Sequence, residues 1–153
     1  EAAGKLTAVV TQNIDGLHQA AGSKTVYELH GSTLRNYCPR CKKQFPTSYI
    51  AQSQGVPYCD EKGCDGIVRP DVVLYEEGLD GNVISDSVTA IRQADMLIIG
   101  GTSLVVYPAA GLVNYYRGKR LVLINKAQTS MDSRANLAIH APIGEVFAQI
   151  QVR

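Results

Sequence analysis

All four cysteines of this 153-residue chain lie in one short stretch, where they could bind a metal ion. They form two pairs, Cys38 with Cys41 and Cys59 with Cys64, and seventeen residues separate the pairs. Each pair can present two thiolates from one tight turn, and two such turns complete a tetrahedral zinc site. Because four protein ligands leave no position for water or substrate, the sequence predicts a structural zinc ion.

Other chemistry is open to these thiols. They could stay unbound, form a redox pair, hold iron, or form two disulfides if the protein were secreted, which nothing in the sequence indicates. Zinc is favoured because residues 35–70 contain four of the six prolines and only scattered apolar residues. We therefore expect a metal to organise this segment.

Polar or glycine-rich segments follow several predicted strands and could bind a ligand, because ligands of open α/β sheets bind beyond the carboxyl ends of strands. The segments are Gln12-Asn13-Ile14-Asp15-Gly16, His30-Gly31-Ser32, Gly100-Gly101-Thr102-Ser103 and Asn125. Glycine allows backbone amides to approach a phosphate or ribose, and the hydroxyl and amide side chains can bond to it.

Each of these segments also has a simpler interpretation. The double glycine could be an ordinary turn, and Asn13 and Asp15 could cap the helix that follows them. His30 could be a structural histidine rather than a base. It is nevertheless the histidine that the pattern puts at a strand's carboxyl end, and imidazole titrates near neutral pH.

The elements that position these groups alternate between strand and helix. Strands are predicted at 6–10, 26–29, 71–75, 96–99, 121–124 and 137–140, and helices at 17–21, 80–93, 108–116 and 142–150. The continuous apolar runs at 96–99 and 121–124 are typical of buried parallel strands. The pattern predicts a doubly wound, Rossmann-like parallel sheet formed by residues 1–34 and 71–153, with residues 35–70 inserted as a zinc-ribbon module.

Composition excludes some classes of partner. Lys and Arg number 15 against 14 Asp and Glu, so charge does not favour binding to nucleic acid. No apolar run reaches the roughly 18 residues that span a bilayer, and no apolar segment of a signal peptide follows Glu1. We expect a soluble, cytoplasmic protein without nucleic-acid or membrane partners.

Taken in order, the motifs resemble the sirtuins, the Sir2 family of NAD-dependent protein deacylases, in a bacterial form. The matching segments are Thr11–His18, Glu28–Ser32, the two cysteine pairs, Arg69–Glu77, Gly101–Pro108 and Leu123–Asn125. They span about residues 7–150 and surround the zinc module. The resemblance implies that the Rossmann-like part binds NAD as a co-substrate.

The resemblance also implies roles for individual residues. His30 would be the general base acting on a ribose hydroxyl, with Asn13 and Asp15 as further catalytic residues. Gln12 would line the nicotinamide and ribose pocket together with Asn13 and Asp15. The adenosine side of NAD would contact Gly101, Thr102, Ser103 and Asn125.

The substrate implied by the resemblance is an acyl-lysine protein or peptide, added as a strand. Its backbone would pair with Val72, Val73, Leu74, Tyr75, Glu76 and Glu77, and Val73 would border the acyl-lysine tunnel. The reaction would transfer the acyl group to ADP-ribose, with release of nicotinamide and free lysine.

Two features depart from the family pattern. The family usually has Phe-Gly-Glu where this chain has Tyr75-Glu76-Glu77, so Glu76 adds a charge that would favour basic substrates. The family's glycine-rich loop, roughly Gly-Ala-Gly-Ile-Ser, has no counterpart. We therefore expect a truncated protein, with a sheet incomplete at its N-terminal side, that binds NAD poorly and is weakly active or inactive.

Two other functions are compatible with the same sequence. One is a zinc-bearing structural or interaction fragment without catalysis, which the missing loop favours. The other is a protein ADP-ribosyltransferase that uses the same NAD pocket. Dependence of nicotinamide release on an acyl peptide separates the deacylase from the transferase, and NAD binding separates both from the structural fragment.

Overall fold

A computed structural model describes residues 1–152, and this part of the chain contains eight strands, four α-helices and two 3₁₀ helices. The strands are β1 (Val9–Thr11), β2 (Val26–Glu28), β3 (Gly31–Tyr37), β4 (Gln44–Phe45), β5 (Arg69–Val72), β6 (Leu97–Gly100), β7 (Leu121–Ile124) and β8 (Leu137–Ile139). The α-helices are α1 (Leu17–Ala20), α2 (Thr47–Gln52), α3 (Gly81–Gln93) and α4 (Ile143–Phe147). Residues Ala109–Tyr115 and Asp132–Arg134 form 3₁₀ helices. Across residues 1–152, every helix is too short or too polar to cross a membrane.

The chain divides into two compact units. Residues 9–83 form one, called here the N-terminal unit, and residues 1–8 with those from 84 onward form the other, the C-terminal unit. The predicted division into a split Rossmann-like domain (residues 1–34 and 71–153) and a zinc module (35–70) stays a prediction.

The N-terminal unit begins with a βαβ arrangement. Strands β1 and β2 are parallel, with Val9 opposite Val26, and α1 lies between them in sequence. This confirms the parallel pair expected from the first part of the sequence. The predicted strand start at residue 6 was too early, since the strand begins at Val9.

The same unit contains an antiparallel sheet with strand order β4-β3-β5. The strand predicted at 71–75 is therefore wrong in position and direction: it covers Arg69–Val72 and pairs antiparallel with β3. Strands β3 and β4 and helix α2 were not predicted. Their sequences, such as Gly31–Tyr37, contain too few apolar residues to show a strand or helix period.

A small core forms around the cysteines themselves. Cys38, Phe45, Cys59 and Val68 are buried together, and Tyr49 packs against them with its ring 4.7 Å from that of Phe45. The apolar residues of this segment are scattered in sequence but converge where the thiols meet.

The C-terminal unit is built on a parallel sheet with strand order β6-β7-β8. Leu123 and Ile124 on the central strand β7 are almost fully buried. Helix α3 matches the predicted helix 80–93, whereas the helix predicted at 108–116 is a 3₁₀ helix. Gly111 and the β-branched Val113 lower the α-helix propensity of that segment. The Rossmann-like α/β class is confirmed.

Candidate active site and metal centre

The four cysteine sulfurs converge on one point. Their Sγ atoms all lie within 4.8 Å of one another. The Sγ atoms of Cys38 and Cys64 are 3.6 Å apart, and those of Cys41 and Cys59 are 3.5 Å apart. A tetrahedral zinc with bonds of about 2.3 Å requires sulfur–sulfur distances of about 3.8 Å. The cluster therefore has the ligand set and size of a structural zinc site, as the sequence predicted.

Tight turns bring each pair of thiols together. In the first, the Lys42 amide donates to the carbonyl of Cys38 at 2.8 Å, with Lys42 in the left-handed region at φ 65°. In the second, the Cys64 amide donates to the carbonyl of Glu61 at 2.9 Å. The Cys59 amide donates to the carbonyl of Gly66 at 2.7 Å, which joins the ends of the second turn.

The protein environment affects the thiols in opposite directions. Hydrogen bonding from the Cys41 backbone lowers the pKa of Cys38 to about 7, whereas burial raises the pKa of Cys59 to about 12. Zinc binds thiolates, so the bound metal would hold all four sulfurs deprotonated. Outside the cluster, Lys43 Nζ pairs with Asp60 at 2.8 Å and Glu61 at 3.1 Å and links the two turns.

The sequence placed His30 at the end of a strand, and the structure holds its ring in one orientation. Nδ1 of the half-buried His30 lies 3.0 Å from the backbone oxygen of Gln12. A carbonyl oxygen can only accept a hydrogen bond, so Nδ1 carries the proton and the neutral ring has Nε2 unprotonated. This tautomer makes Nε2 available as a base.

The loop that carries the other predicted catalytic residues is anchored beside His30. Besides the Gln12 carbonyl, the carbonyl of Ile14 accepts from the Thr33 amide at 2.9 Å and from its hydroxyl at 3.0 Å. Gln12, Asn13 and Asp15 thus lie on one loop that is anchored beside His30. Asp15 Oδ1 also accepts from the Leu17 amide at 3.0 Å and so binds the start of α1, whose N-cap residue is Gly16.

The chain turns sharply after His30, and Gly31 permits this. Gly31 has φ 74°, and a Cβ at this position would overlap the backbone oxygen of Asp71 on β5. Just beyond β5, the Val73 amide donates to the carbonyl of His30 at 3.0 Å. The residue proposed as the base is therefore joined through its backbone to the start of the predicted substrate segment.

The predicted substrate segment, Val72–Glu77, is not extended throughout. Strand β5 ends at Val72, and the Glu77 amide donates to the carbonyl of Leu74 at 3.1 Å, which closes a turn. Glu76 has φ 71°, and Tyr75 is fully exposed. Glu76 occupies the third position of a turn that ordinarily favours glycine, which explains why a glycine is usual here in the family pattern.

The C-terminal unit has an open cavity of about 430 Å³ at the carboxyl ends of β6 and β7. Gly101, Asn125 and Ile143 are among the residues that line it, whereas Thr102 and Ser103 are not. The Gly101 amide donates to the carbonyl of Ile124 at 3.0 Å, with φ 64°. The structure therefore brings together two of the four residues predicted on the adenosine side. The size of this cavity and its position at the carboxyl ends of two parallel strands suit the adenosine part of a dinucleotide.

A polar network beside this cavity was not predicted. His140 Nε2 lies 3.0 Å from Asp132 Oδ2, and its Nδ1 lies 3.4 Å from the backbone oxygen of Asn125. Asp132 Oδ1 accepts from the amide and hydroxyl of Thr129, each at 2.8 Å, and the hydroxyl and amide hydrogen bonds of Thr129 lower the pKa of Asp132. The strand-end position of His140 was the available signal in the sequence.

The fold and the two sites define a Rossmann-like α/β protein with a four-cysteine metal centre. The family model described as Sir2 family matches residues 1–108, about two thirds of the chain. The chain therefore belongs to the Sir2 family, as the motifs indicated.

Curated relatives and solved structures agree with this assignment. The NAD-dependent protein deacetylases of Clostridium perfringens and Clostridium acetobutylicum are 63% and 60% identical to the chain, each over 98% of it and 61% of the relative. A solved complex of Sir2 with p53 peptide and NAD⁺ superposes with a TM-score of 0.85 at 38% identity, over 94% of this chain and 61% of that one. The chain thus spans about three fifths of the length of these relatives.

Proposed function

We propose that the chain carries the catalytic and zinc-binding parts of an NAD-dependent protein lysine deacylase. The observation that supports this most directly is the His30–Gln12 contact, which gives His30 the tautomer that a general base requires. Family membership and the names of the relatives, NAD-dependent protein deacetylases, support the same function.

In this proposal His30 Nε2 accepts a proton from a ribose hydroxyl of NAD. The hydrogen bond to Gln12 fixes the ring, so that the same nitrogen always faces the reacting group. Asn13 and Asp15 lie on the loop anchored next to this base and would orient the ribose and the nicotinamide carboxamide. The loop has hydrogen bonds to β3 at Ile14, which limit its motion during the reaction.

NAD would supply the bond to nicotinamide that breaks and the ribose that receives the acyl group. The protein's part is to bind the adenosine side at Gly101, Thr102, Ser103 and Asn125. Gly101 and Asn125 line the cavity of the C-terminal unit, whose lining combines apolar side chains such as Ile124 and Ile143 with polar groups, as nucleoside sites do. The left-handed conformation of Gly101 brings the backbone close to this space without a side chain.

We propose an acyl-lysine peptide as the substrate, bound along Val72–Glu77. Within residues 1–152, β3 is the only strand that pairs with β5, so β5 has a free outer edge that meets the segment at Val72 and can accept an added strand. The exposed Glu76 would favour basic residues beside the acyl-lysine. Solved Sir2 complexes with p53 peptide and with acetylated peptide resemble this chain at TM-scores of 0.85 and 0.84.

The zinc ion would stabilise the fold and take no part in the reaction. Its four ligands are all protein thiolates, and Cys38 and Cys59 are buried in the small core. We propose a cytoplasmic location, because free thiols of this kind persist in a reducing compartment.

The test is to incubate the zinc-loaded chain with NAD and an acetyl-lysine peptide and to follow deacetylation by mass spectrometry. A His30→Ala variant and a His18→Ala variant run beside it, because His18 lies on α1 and has no proposed role. Deacetylation that requires NAD and His30 but not His18 supports the proposal. Nicotinamide release without an acetyl peptide would favour ADP-ribosyl transfer, and failure to bind NAD would favour a structural fragment.

A further inference from the structure

One arginine holds the turn at the end of the proposed substrate segment. Arg69, on β5, binds both carboxylate oxygens of Glu77, with Nη1 2.6 Å from Oε1 and Nη2 3.0 Å from Oε2. Its Nη2 also donates to the carbonyl of Val72 at 2.8 Å. The planar guanidinium therefore joins the last residue of the strand to the last residue of the turn.

The Glu77 carboxylate continues this connection into the turn. Its Oε2 accepts from the Leu74 amide at 2.9 Å, while the Glu77 amide donates to the Leu74 carbonyl at 3.1 Å. Hydrogen bonding to Arg69, followed by that to the Leu74 amide, lowers the pKa of Glu77 to about 2. The carboxylate stays ionised at neutral pH, so the pair persists under physiological conditions.

The turn needs such support because Glu76 is strained. A non-glycine residue at φ 71° is disfavoured and persists when the surrounding structure imposes the conformation. Among the residues that the structure describes, Glu76 forms no ion pair that would offset this strain. The contacts of Arg69 and Glu77 on either side supply the constraint.

We propose that Arg69 is a positioning residue for substrate binding, which acts through Glu77 to preform the Leu74–Glu77 turn. The inference rests on the proposed function, since it assigns the turn to the acyl-lysine peptide. A preformed backbone lowers the ordering cost of binding an added strand. The Val73 amide donates a hydrogen bond to the His30 carbonyl. The contacts of Arg69 and Glu77 therefore also fix the distance from the turn to the proposed base.

The experiment measures binding of a fluorescein-labelled acetyl-lysine peptide to the zinc-loaded chain by anisotropy. Its variants are Arg69→Met, Arg69→Lys and the control Arg117→Met, which removes an exposed arginine in the C-terminal unit. We expect Kd for the peptide to rise about tenfold in Arg69→Met and less in Arg69→Lys, which keeps the charge but not the two-pronged contact. Arg117→Met should bind as the wild type does.

Further readouts separate positioning from loss of folding. If Arg69 positions the turn, Arg69→Met changes the Kd for the peptide but leaves the binding stoichiometry and the zinc content unchanged. If the variant misfolds, the binding stoichiometry and the zinc content both fall. Hydrogen exchange at the Leu74 amide should accelerate in Arg69→Met, because its acceptor carboxylate is no longer held. In deacetylation assays the loss should appear in KM at unchanged kcat.

Two results would overturn the inference. Equal peptide affinity of wild type and Arg69→Met would remove Arg69 from substrate positioning and leave the proposed function standing. A wild-type chain that binds acetylated and unmodified peptides equally weakly would contradict the proposed function, and with it the role of Arg69.

Discussion

The backbone carbonyl of Gln12 lies 3.0 Å from Nδ1 of His30, and this contact determines which ring nitrogen is protonated. Family motifs can identify His30 as a candidate base, but they do not specify its tautomer. The tautomer depends on the parallel pairing of β1 and β2. This pairing brings Gln12, which follows β1, beside His30, which follows β2.

The tautomer itself can be measured without activity. In ¹⁵N-labelled protein at alkaline pH, the ring nitrogens of neutral His30 should show Nδ1 protonated and Nε2 unprotonated, because Nδ1 faces the Gln12 carbonyl, which can only accept a hydrogen bond. His18 serves as the reference, since no hydrogen bond of its ring is seen in residues 1–152. A signal from His30 with the proton on Nε2 would contradict the assignment of this residue as base.

Metal removal should unfold the small core of the N-terminal unit. Cys38 and Cys59 are themselves core residues. Without the metal ion, no bond would hold these buried thiols together. We expect one zinc per chain by metal analysis and a lower Tm after dialysis against EDTA. Cys41→Ser should also lower Tm, whereas Lys62→Ser, a substitution between the second pair of cysteines, should not. Chelation without effect on Tm would show that the thiols do not need a metal.

The sequence was sufficient for features whose signal is local. The buried strand Leu121–Ile124 and helix Gly81–Gln93 follow from continuous apolar residues and helical spacing, and the cysteine spacing predicts the metal centre. It was insufficient for the antiparallel strands, whose pairing depends on distant residues. Arg35 on β3 shows this: it binds Asp71 on β5 at 2.9 Å, and Asp71 lies 36 residues further along the chain.

The candidate site was also only partly predictable. Gly101 and Asn125 line one cavity, although their contact with adenosine stays a prediction, and the contribution of Ile143 depends on how α4 packs near Gly100. A Cβ at Gly100 would overlap the Ile143 side chain, so that glycine serves packing as well as ligand approach. Spacing alone does not distinguish these two roles.

Gly31→Ala should destabilise the protein by about 2 kcal/mol or more, because it combines left-handed strain with overlap of the Asp71 carbonyl. Gly22→Ala is the matched control: Gly22 has φ 96°, but a Cβ there meets no atom within 4 Å. Backbone strain alone should cost about 1 kcal/mol at Gly22. Urea unfolding measures both values. Equal losses would mean that the His30–Gly31 turn can move away from β5.

Glu76→Gly should stabilise the chain by about 0.5–1 kcal/mol, since glycine tolerates φ 71° without strain although it costs entropy in the unfolded state. Glu76→Ala removes the charge but keeps the strain, so it should leave stability near that of wild type. Urea unfolding separates the two effects. If Glu76→Ala stabilised as much as Glu76→Gly, charge repulsion and not backbone strain would be the cause.

The Arg69–Glu77 pair predicts a specific pH dependence of stability. The pKa of Glu77 is about 2 in the folded protein, below the value of about 4.3 usual for an unfolded glutamate. A depressed folded pKa contributes stability that is fully present above the unfolded pKa and is lost as pH falls from about 4.3 toward 2. The difference in Tm between wild type and Glu77→Gln should therefore stay constant from neutral pH to about pH 5.5 and shrink below about pH 4. The difference is the useful quantity, because acid releases zinc from both proteins alike. A difference that stays the same from pH 5.5 to below pH 4 would show that Arg69 does not hold this carboxylate.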